Sequence, residues 1–282
     1  MHDDDRFDAS AAALWDRATL DQVRREAGLA ELEFHPSIGS TNDRGLERLR
    51  AADWLDPTLI LAARQTAGRG RGGNRWWSAD GGLTFSLLIR PTIDTGAEAI
   101  SRSTLRAGLG TARGLASLLA PSAPLTLKWP NDLSLGGRKV AGLLVERDAS
   151  ASGLVIGVGL NVNQRFDEAP EEVRLRGTSP YEFDGRTRDL AEVLIAVIRG
   201  LRRELVPPPD APDDWAERFR ARCELTGRIV ELDQRGERRT GRCLGIDDGG
   251  RLVLETESVG LGARFETENG GRDARLDTRE PR

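Results

Sequence analysis

Stretches of apolar residues at helical spacing alternate along most of the chain with short apolar runs that are typical of strands. The helical spacing predicts helices over residues 11–28, from an N-cap at Thr41 to about Asp53, and over 97–119, 187–205 and 212–223. The short apolar runs predict strands over residues 29–38, 58–64, 83–91, 125–129, 139–146 and 153–162. Interleaved helices and strands of this kind predict an α+β fold.

The pattern changes after residue 224, where four short β-like runs follow one another between polar or glycine-containing turns. The runs are GRIVELD (227–233), RTGRCLGI (239–246), RLVLETES (251–258) and ARFETE (263–268). Short strands at this regular spacing predict a small all-β barrel. We therefore divide the chain into a first domain over residues 1–224 and a second over 225–282.

Composition limits the kinds of molecule that the protein is expected to bind. The formal net charge is −4, from 41 basic and 45 acidic residues, and only 5% of residues are aromatic. A protein that binds nucleic acid usually carries a basic excess, so we expect no nucleic-acid ligand. The chain has no apolar run of the roughly 18 residues that a membrane helix needs. Its acidic start, MHDDDRFDAS, lacks the features of a signal peptide, which favours the cytoplasm.

The scarcity of cysteine and histidine limits the possible chemistry. Cys223 and Cys243 form no CxxC pair, so they indicate neither a zinc site nor a disulfide framework. His2 and His35 are the only histidines, which argues against serine–histidine or cysteine–histidine catalysis. Any catalysis is therefore expected to use lysine, arginine, aspartate and a bound metal.

The most unusual segment is GRGRGGNRWW, at residues 68–77. Gly68, Gly70 and Gly73 fit G-x-G-x-x-G, but no predicted helix follows, as the dinucleotide fingerprint requires. A Walker A loop would need Lys-Ser/Thr after Gly73, where Asn74 and Arg75 stand. The segment is consistent with a loop that orders over an anion, since arginine forks bind phosphate or carboxylate. A flexible surface loop with incidental arginines is the alternative.

Two further motifs, LKWPNDL (127–133) and GVGLNVN (157–163), flank a strand that begins at Lys139. A lysine at the start of an apolar strand suggests a role in binding or catalysis. Asp132 is equally consistent with ordinary turn chemistry after proline and asparagine. Each motif alone leaves the functional and the structural interpretation open.

Taken together, five motifs in this order resemble the motif set of biotin–protein ligases. They are STN (40–42), QTAGRGRGGNRWWS (65–78), KWPNDL (128–133), RKVAGLLVE (138–146) and GVGLNVN (157–163). The resemblance covers roughly residues 30–270. It implies a class II synthetase-like catalytic domain, with a mixed sheet and flanking helices, and a small SH3-like β-barrel at the C-terminus. About 30 residues precede the catalytic region, which favours a monofunctional ligase without a DNA-binding repressor domain.

The resemblance implies a reaction in two steps, with ATP, Mg²⁺ and biotin. Biotin and ATP give biotinyl-5′-AMP and pyrophosphate, and a lysine of a biotin carboxyl carrier protein or domain then takes the biotin. The related lipoate–protein ligases are the alternative within enzymes. A non-catalytic module that binds a nucleotide or nucleic acid is the alternative outside them.

The resemblance also implies roles for individual residues. Biotin is expected to contact Ser40, Thr41, Asn42, Gln65, Gly142 and Leu143. ATP and the adenylate are expected to contact Gly68, Arg69, Gly70, Arg71, Trp76, Asn131, Lys139 and Asn161. Lys139 and Arg71 would stabilise charge where carboxylate and α-phosphate meet, and Trp76 would lie against the adenine. Asp132 would bind Mg²⁺ or orient the acceptor lysine.

Many relatives carry a further basic residue where Gly72 and Asn74 stand here, so this loop has less positive charge than theirs. The sequence also leaves room for a homodimer. An exposed strand near 138–146 or 153–162 would allow two copies to pair edge to edge.

Overall fold

A computed structural model describes residues 14–92, 99–234, 237–256, 263–266 and 274–279. The helices are α1 (Arg17–Glu26), α2 (Thr41–Ala51), α3 (Ala99–Ala116), α4 (Glu171–Arg176), α5 (Pro180–Asp184), α6 (Leu190–Leu205) and α7 (Trp215–Arg220). No helix among these residues combines the length and the apolar character that a transmembrane span requires.

The strands form two sheets. Those of the larger sheet are β1 (Glu31–Ile38), β2 (Thr58–Gln65), β3 (Gly82–Ile89), β4 (Leu125–Lys128), β5 (Asp132–Leu135), β6 (Arg138–Glu146) and β7 (Leu154–Asn161). Their order across the sheet is β1-β2-β3-β7-β6-β5-β4. Only β1 and β2 pair in parallel, and every other neighbouring pair is antiparallel. The mixed sheet with flanking helices confirms the predicted fold class.

The smaller sheet is antiparallel and contains β8 (Ile229–Gln234), β9 (Glu237–Ile246), β10 (Leu252–Thr256), β11 (Ala263–Glu266) and β12 (Ala274–Arg279). Their order is β11-β10-β9-β8-β12. The prediction of short β-strands at the C-terminus is therefore confirmed, whereas the division into two domains at residue 224 stays a prediction. Strand β12 was not predicted, because its sequence, ARLDTR, is polar; it pairs with β8 along its whole length.

The two faces of the larger sheet have different neighbours, because successive side chains of a strand point to opposite faces. One face, which includes Leu83, Phe85 and Val158, shares the main hydrophobic core with helices α3 and α6. At the crossing of these helices, a Cβ on Gly110 or Gly200 would collide with the backbone of the opposite helix. Glycine at both positions therefore lets the two helices pack closely.

Helix α2 covers only one end of the opposite face. There Leu49 and Trp54 form a second small core with Ile60, Leu88 and Val155 of the sheet. The helix begins after Ser40, whose side-chain oxygen accepts a hydrogen bond from the Asp43 N–H (3.4 Å). The prediction of Thr41 as N-cap is therefore wrong by one residue. The first turn of α2 lies against Gly157 of the larger sheet, where a Cβ would overlap the Asn42 side chain.

The expected edge-to-edge pairing through 138–146 or 153–162 is also wrong. Strand β7 lies between β3 and β6, and β6 lies between β7 and β5. Strand β7 is paired with both neighbours along nearly its whole length, and β6 is paired with β7 on one side and, from Arg138 to Gly142, with β5 on the other. The edges of this sheet are β1 and β4.

Candidate active site

The uncovered end of the larger sheet carries small and polar residues in one cross-strand row. Thr84 on β3 pairs with Gly159 on β7, which pairs with Gly142 on β6. Gly142 in turn pairs with Asp132 on β5, which pairs with Lys128 on β4. The two central glycines give the sheet a flat surface here, which we call the glycine floor (Gly142 and Gly159).

Trp76 lies on the glycine floor. A Cβ added to Gly159 would collide with the indole ring, and one added to Gly142 would lie 3.2 Å from it. The ring centroid is 5.8 Å from Lys139 Nζ, within the range of a cation–π contact. The indole Nε1 is buried and has no hydrogen-bond partner, which is costly unless a ligand supplies an acceptor. The residue predicted to lie against adenine is thus brought next to the predicted catalytic lysine.

Lys139 is fixed through its backbone at the start of β6. Its carbonyl oxygen accepts hydrogen bonds from the Thr178 N–H (2.9 Å) and from Asn161 Nδ2 (3.3 Å). Its ammonium lies 2.7 Å from Asp132 Oδ1. The Lys139 side chain is 38% exposed, so the ammonium remains accessible to an anionic ligand. The role of Asn161 seen here is to hold Lys139.

Asn131 connects the KWPND turn to β6. Its Nδ2 donates to the Leu143 carbonyl oxygen (2.8 Å), and its own carbonyl oxygen accepts from the Leu143 N–H (2.9 Å). The turn contains a cis peptide between Trp129 and Pro130. Asp132, expected to belong to this turn, is instead the first residue of strand β5.

The start of α2 is tied to β2 and β3 by a polar network. Gln65 Oε1 accepts from the Thr41 N–H (2.8 Å) and lies 3.1 Å from the Thr41 hydroxyl. The Ser86 hydroxyl lies 2.8 Å from the Thr41 hydroxyl. Ser40 and Thr41 are both buried. The structure therefore brings three residues predicted to bind biotin to one place.

Asn42 extends this network across the sheet. Its Oδ1 accepts from the Ser86 hydroxyl (2.6 Å), and its Nδ2 donates to the Leu144 carbonyl oxygen (3.0 Å) and to Glu146 Oε2 (2.8 Å). Its amide fills the space where Gly157 has no side chain, because a Cβ there would overlap Asn42 Oδ1. The network leaves no side-chain polar atom of this buried asparagine without a partner.

The segment between β2 and β3, residues 66–81, forms what we call the glycine–arginine loop. The Trp76 N–H donates to the Gly68 carbonyl oxygen (2.9 Å), and the Gly70 N–H donates to the Asn74 carbonyl oxygen (2.7 Å). Arg71 begins the short 3-10 turn at the tip of the loop. Gly72 has a φ of 66°, a conformation that an arginine would adopt only with strain. Glycine at this position is thus explained by the backbone.

Arg69 attaches this loop to the body of the protein. Its guanidinium donates two hydrogen bonds to the carboxylate of Glu146 (3.0 and 2.6 Å) and lies 2.8 Å from Asp43 Oδ1. The hydrogen bonds that Arg69 donates to Glu146, opposed by partial burial, raise the pKa of Arg69 above its usual value. Arg69 is therefore already paired with carboxylates.

Burial alternates along β6, and the alternation shows which of its two leucines has its side chain on the site face. Leu143 is buried, whereas Gly142, Leu144 and Glu146 are partly accessible on the site face. The side chain of Leu143 therefore faces the core, and Leu144 is the leucine beside the glycine floor. Sequence reasoning also missed other residues of this face: Thr84, Ser86, Glu146, Gly157 and Gly159. The repeat at 157, 159 and 161 in GVGLNVN was the available signal, since residues two apart in a strand share a face.

The site offers few ligands for a metal. Among the described residues, no three side chains of the His, Cys, Asp or Glu type are grouped so as to hold a metal ion. Mg²⁺ bound mainly by triphosphate oxygens needs only one or two carboxylates from the protein. The residues present therefore fit Mg²⁺ that arrives with ATP as part of the substrate. The role of Asp132 as its ligand stays a prediction.

Comparison with known proteins shows which family this chain resembles. The model of the Biotin/lipoate A/B protein ligase family matches residues 34–163. The Biotin--[acetyl-CoA-carboxylase] ligase of Mycobacterium tuberculosis is 34% identical over 244 residues, covering 85% of this chain and 89% of that protein. A ligase of the same name from Paracoccus denitrificans is 30% identical over 227 residues, covering 77% of this chain and 92% of that protein.

Solved structures agree with this result. The biotin protein ligase from Aquifex aeolicus in complex with biotin and ATP matches with a TM-score of 0.71 at 29% identity, covering 89% of this chain and all of that one (100%). The fold and the matching family model define the class, which is the biotin and lipoate ligases. Within that class the chain belongs to the biotin–protein ligase family.

Proposed function

We propose that this protein joins biotin to a lysine of a biotin carboxyl carrier domain and converts ATP to AMP and pyrophosphate. The observation that carries the proposal is the meeting of the glycine–arginine loop and Lys139 on the glycine floor, with the start of α2 against Gly157 on the same strand. The relatives named as biotin--[acetyl-CoA-carboxylase] ligases support both the substrate and the kind of acceptor.

In the first step, a biotin carboxylate oxygen forms a bond to the α-phosphorus of ATP, and the bond from that phosphorus to the bridging oxygen of pyrophosphate breaks. Two anions must approach each other, so the step depends on fixed positive charge and on orientation. Lys139 and Arg71 supply the charge in our proposal. Lys139 suits this role because its backbone is held before substrate arrives.

Biotin is proposed to bind beside the start of α2. The buried Ser40 and Thr41 and the half-buried Gln65 form a polar corner there, which we call the biotin corner. It is suited to a neutral ring that both donates and accepts hydrogen bonds. Gly142 provides a flat apolar surface, and Leu144 lines it where Leu143 was expected. Asn42 accepts a hydrogen bond from Ser86, which in turn contacts Thr41 of this corner.

ATP is proposed to bind between the glycine–arginine loop and the glycine floor. Trp76 would lie against the adenine, with Gly68 and Gly70 allowing the loop backbone to approach the phosphates. Asn161 and Asn131 would act through the backbone of β6, because their amide nitrogens donate to its carbonyl oxygens. Mg²⁺ bound to the triphosphate would offset part of its charge.

In the second step, the ε-amine of the acceptor lysine forms a bond to the biotinyl carbonyl carbon. The bond to the adenylate oxygen breaks, AMP leaves, and the amine loses a proton. Asp132 is proposed to orient the incoming lysine. Its position 2.7 Å from the Lys139 ammonium supports a role in holding an amine at this point of the site.

Three further features are part of the proposal. The net charge of −4 supports a protein that uses no nucleic-acid ligand. A homodimer would have to use a surface other than the interior strands β6 and β7. A cytoplasmic location is also proposed and would put the enzyme beside its substrates.

The test is transfer of labelled biotin to a purified carrier domain in the presence of Mg²⁺ and ATP. We expect label on one lysine, identified by peptide mapping, and no label when that lysine is replaced by arginine. A lipoate ligase would instead transfer lipoate and leave biotin free. A binding module without catalysis would bind ATP but label nothing.

A further inference from the structure

Glu146 joins the two halves of the proposed site. It is the last residue of β6, and its side chain is 24% exposed. One of its oxygens accepts from Arg69 alone, and the other accepts from both Arg69 and Asn42 (2.6 and 2.8 Å). Neither the motifs nor the proposed mechanism gives this residue a role.

From Glu146, a continuous set of hydrogen bonds leads to the biotin corner. Asn42 contacts Ser86, Ser86 contacts Thr41, and Thr41 contacts Gln65. In the other direction, Arg69 belongs to the glycine–arginine loop. A single carboxylate therefore connects the loop that covers the nucleotide with the residues that hold biotin.

The contact has the properties of a strong ion pair. Arginine and carboxylate meet through two parallel hydrogen bonds, a geometry that is stronger and more specific than a single contact. Isolated surface ion pairs contribute little, but this carboxylate is also bonded to a buried asparagine. The arrangement fixes Arg69 in one position relative to the sheet.

We propose that Glu146 is a positioning residue, which docks the glycine–arginine loop over the site by holding Arg69. The two arginines of GRGRGG then have different tasks. Arg69 anchors the loop through Glu146, and Arg71, at the tip, acts on the substrates. The inference rests on the proposed function for its catalytic consequence, but the docking itself is a property of the ligand-free protein.

The first experiment measures amide hydrogen exchange of the loop without ligands. Glu146→Gln keeps the shape of the side chain but removes its charge and one acceptor. We expect exchange in a peptide spanning residues 66–78 to accelerate about tenfold, because opening of the loop becomes more favourable. The turn at Gly136–Gly137, on the β5–β6 connection, provides an internal reference in which exchange stays unchanged.

Asp43→Asn is the matched control. Asp43 also lies beside Arg69, but it is 55% exposed, whereas Glu146 is 24% exposed. We expect this variant to accelerate loop exchange by less than about threefold. Equal effects of the two variants, or unchanged exchange in Glu146→Gln, would overturn the proposal.

The second experiment is a double-mutant cycle on kcat/KM for biotin-dependent pyrophosphate release. If Glu146 acts through Arg69, Glu146→Gln alone lowers kcat/KM about tenfold, and adding it to Arg69→Gln changes nothing further. Additive losses would show that Glu146 acts elsewhere and would overturn the proposal. Unchanged kcat/KM in Glu146→Gln, together with faster loop exchange, would also overturn the proposal.

Thermal unfolding of each variant separates docking from general destabilisation. A fall in Tm with faster exchange throughout the chain, and not only in the loop, would also count against the proposal. Absence of pyrophosphate release in the unmodified protein would instead refute the proposed function. The exchange result would still decide whether Glu146 docks the loop.

Discussion

At the scale of single residues, the site is built from groups that are held before any substrate arrives. The Lys139 backbone is bonded to Thr178 and Asn161, and its ammonium lies beside Asp132. A charge that is already in place stabilises developing negative charge without reorganisation at the moment of reaction. This preorganisation explains why a site without histidine is suited to the chemistry.

Replacement of Lys139 by alanine should slow adenylation by a factor of roughly 10² to 10³, as expected for loss of one preorganised donor. The measurement is the rate of pyrophosphate release at saturating biotin and ATP. Arg138→Ala is the control, because Arg138 donates to the Arg174 carbonyl oxygen, away from the glycine floor. If pyrophosphate release by Lys139→Ala stays within about threefold of the rate of the unmodified protein, the catalytic role of Lys139 is wrong.

Replacement of Gly159 by alanine should weaken ATP binding about tenfold, since a methyl group there displaces the Trp76 ring and overpacking costs about 1–3 kcal/mol. Isothermal titration with ATP measures the effect. Gly39→Ala is the control, because no atom lies within 4 Å of a Cβ there. Unchanged affinity in Gly159→Ala would mean that the nucleotide does not use this surface.

Much of the site at this scale follows from the sequence, and the errors have clear causes. The motifs identified Lys139, Gly142 and the glycine–arginine loop. They also named Leu143 for the backbone edge of the biotin pocket, which stays a prediction; that Leu144 is the leucine with its side chain on the site face could not be read from a motif. Glu146 was missed because its role depends on Arg69, 77 positions away in the chain.

At the scale of elements, α2 is attached to the edge strand β1 by charge. Glu33 on β1 contacts Arg44 and Arg48 of α2 (each 2.8 Å) and His35 (2.6 Å). Burial tends to raise the pKa of Glu33, but the hydrogen bonds from these three side chains outweigh it and lower the pKa to about 2. The network bears on the proposed function because the first turn of α2 carries residues that are proposed to bind biotin.

This network predicts a dependence of stability on pH. The pKa of Glu33 falls from 4.5 to about 2 on folding, so its contribution is complete above about 4.5 and is lost as the pH falls towards 2. We expect Glu33→Gln to lower the free energy of unfolding by about 1–2 kcal/mol near neutral pH. The difference from the unmodified protein should shrink on acidification.

Urea unfolding near neutral pH and at about pH 3 measures both differences. Glu47→Gln is the control, because Glu47 is 62% exposed and lies 3.5 Å from Arg44, at the outside of the network. A Glu33→Gln difference that is the same at both pH values would contradict the assignment.

Elements were predicted well where the apolar pattern is long. The strands at 58–65 and 82–89 and helix α3 lie close to the predicted ranges. Strand β5 was missed, because it has only four residues and begins directly after the Pro-Asn turn. Helix α7 covers 215–220 and is shorter than the predicted 212–223. At its C-terminal side the chain leaves the helix, and Cys223 forms a β-bridge with Leu127 of the edge strand β4.

At the scale of the whole molecule, the two sheets share one hydrophobic core. Leu105 and Trp129 of the first region belong to the same apolar cluster as Val230 and Leu252 of the second. The Trp129 indole N–H also donates to the Gly250 carbonyl oxygen (3.1 Å). The domain boundary at residue 224 stays a prediction, and the hydrophobic core continues across it.

A shared core predicts a single cooperative unfolding transition. We expect calorimetry to give one peak, with a calorimetric enthalpy equal to the van't Hoff enthalpy. Two separated peaks, or a C-terminal region that unfolds first, would show that the regions are energetically independent. The shared core was not predictable from the sequence, because it depends on contacts between distant segments.

The central claim is that this fold brings biotin and ATP together for adenylation. The most direct test is pyrophosphate release from Mg²⁺-ATP, measured in parallel with biotin and with lipoate and without any acceptor protein. The account predicts release with biotin and none above background with lipoate. Release with lipoate alone, or with neither substrate, would contradict it.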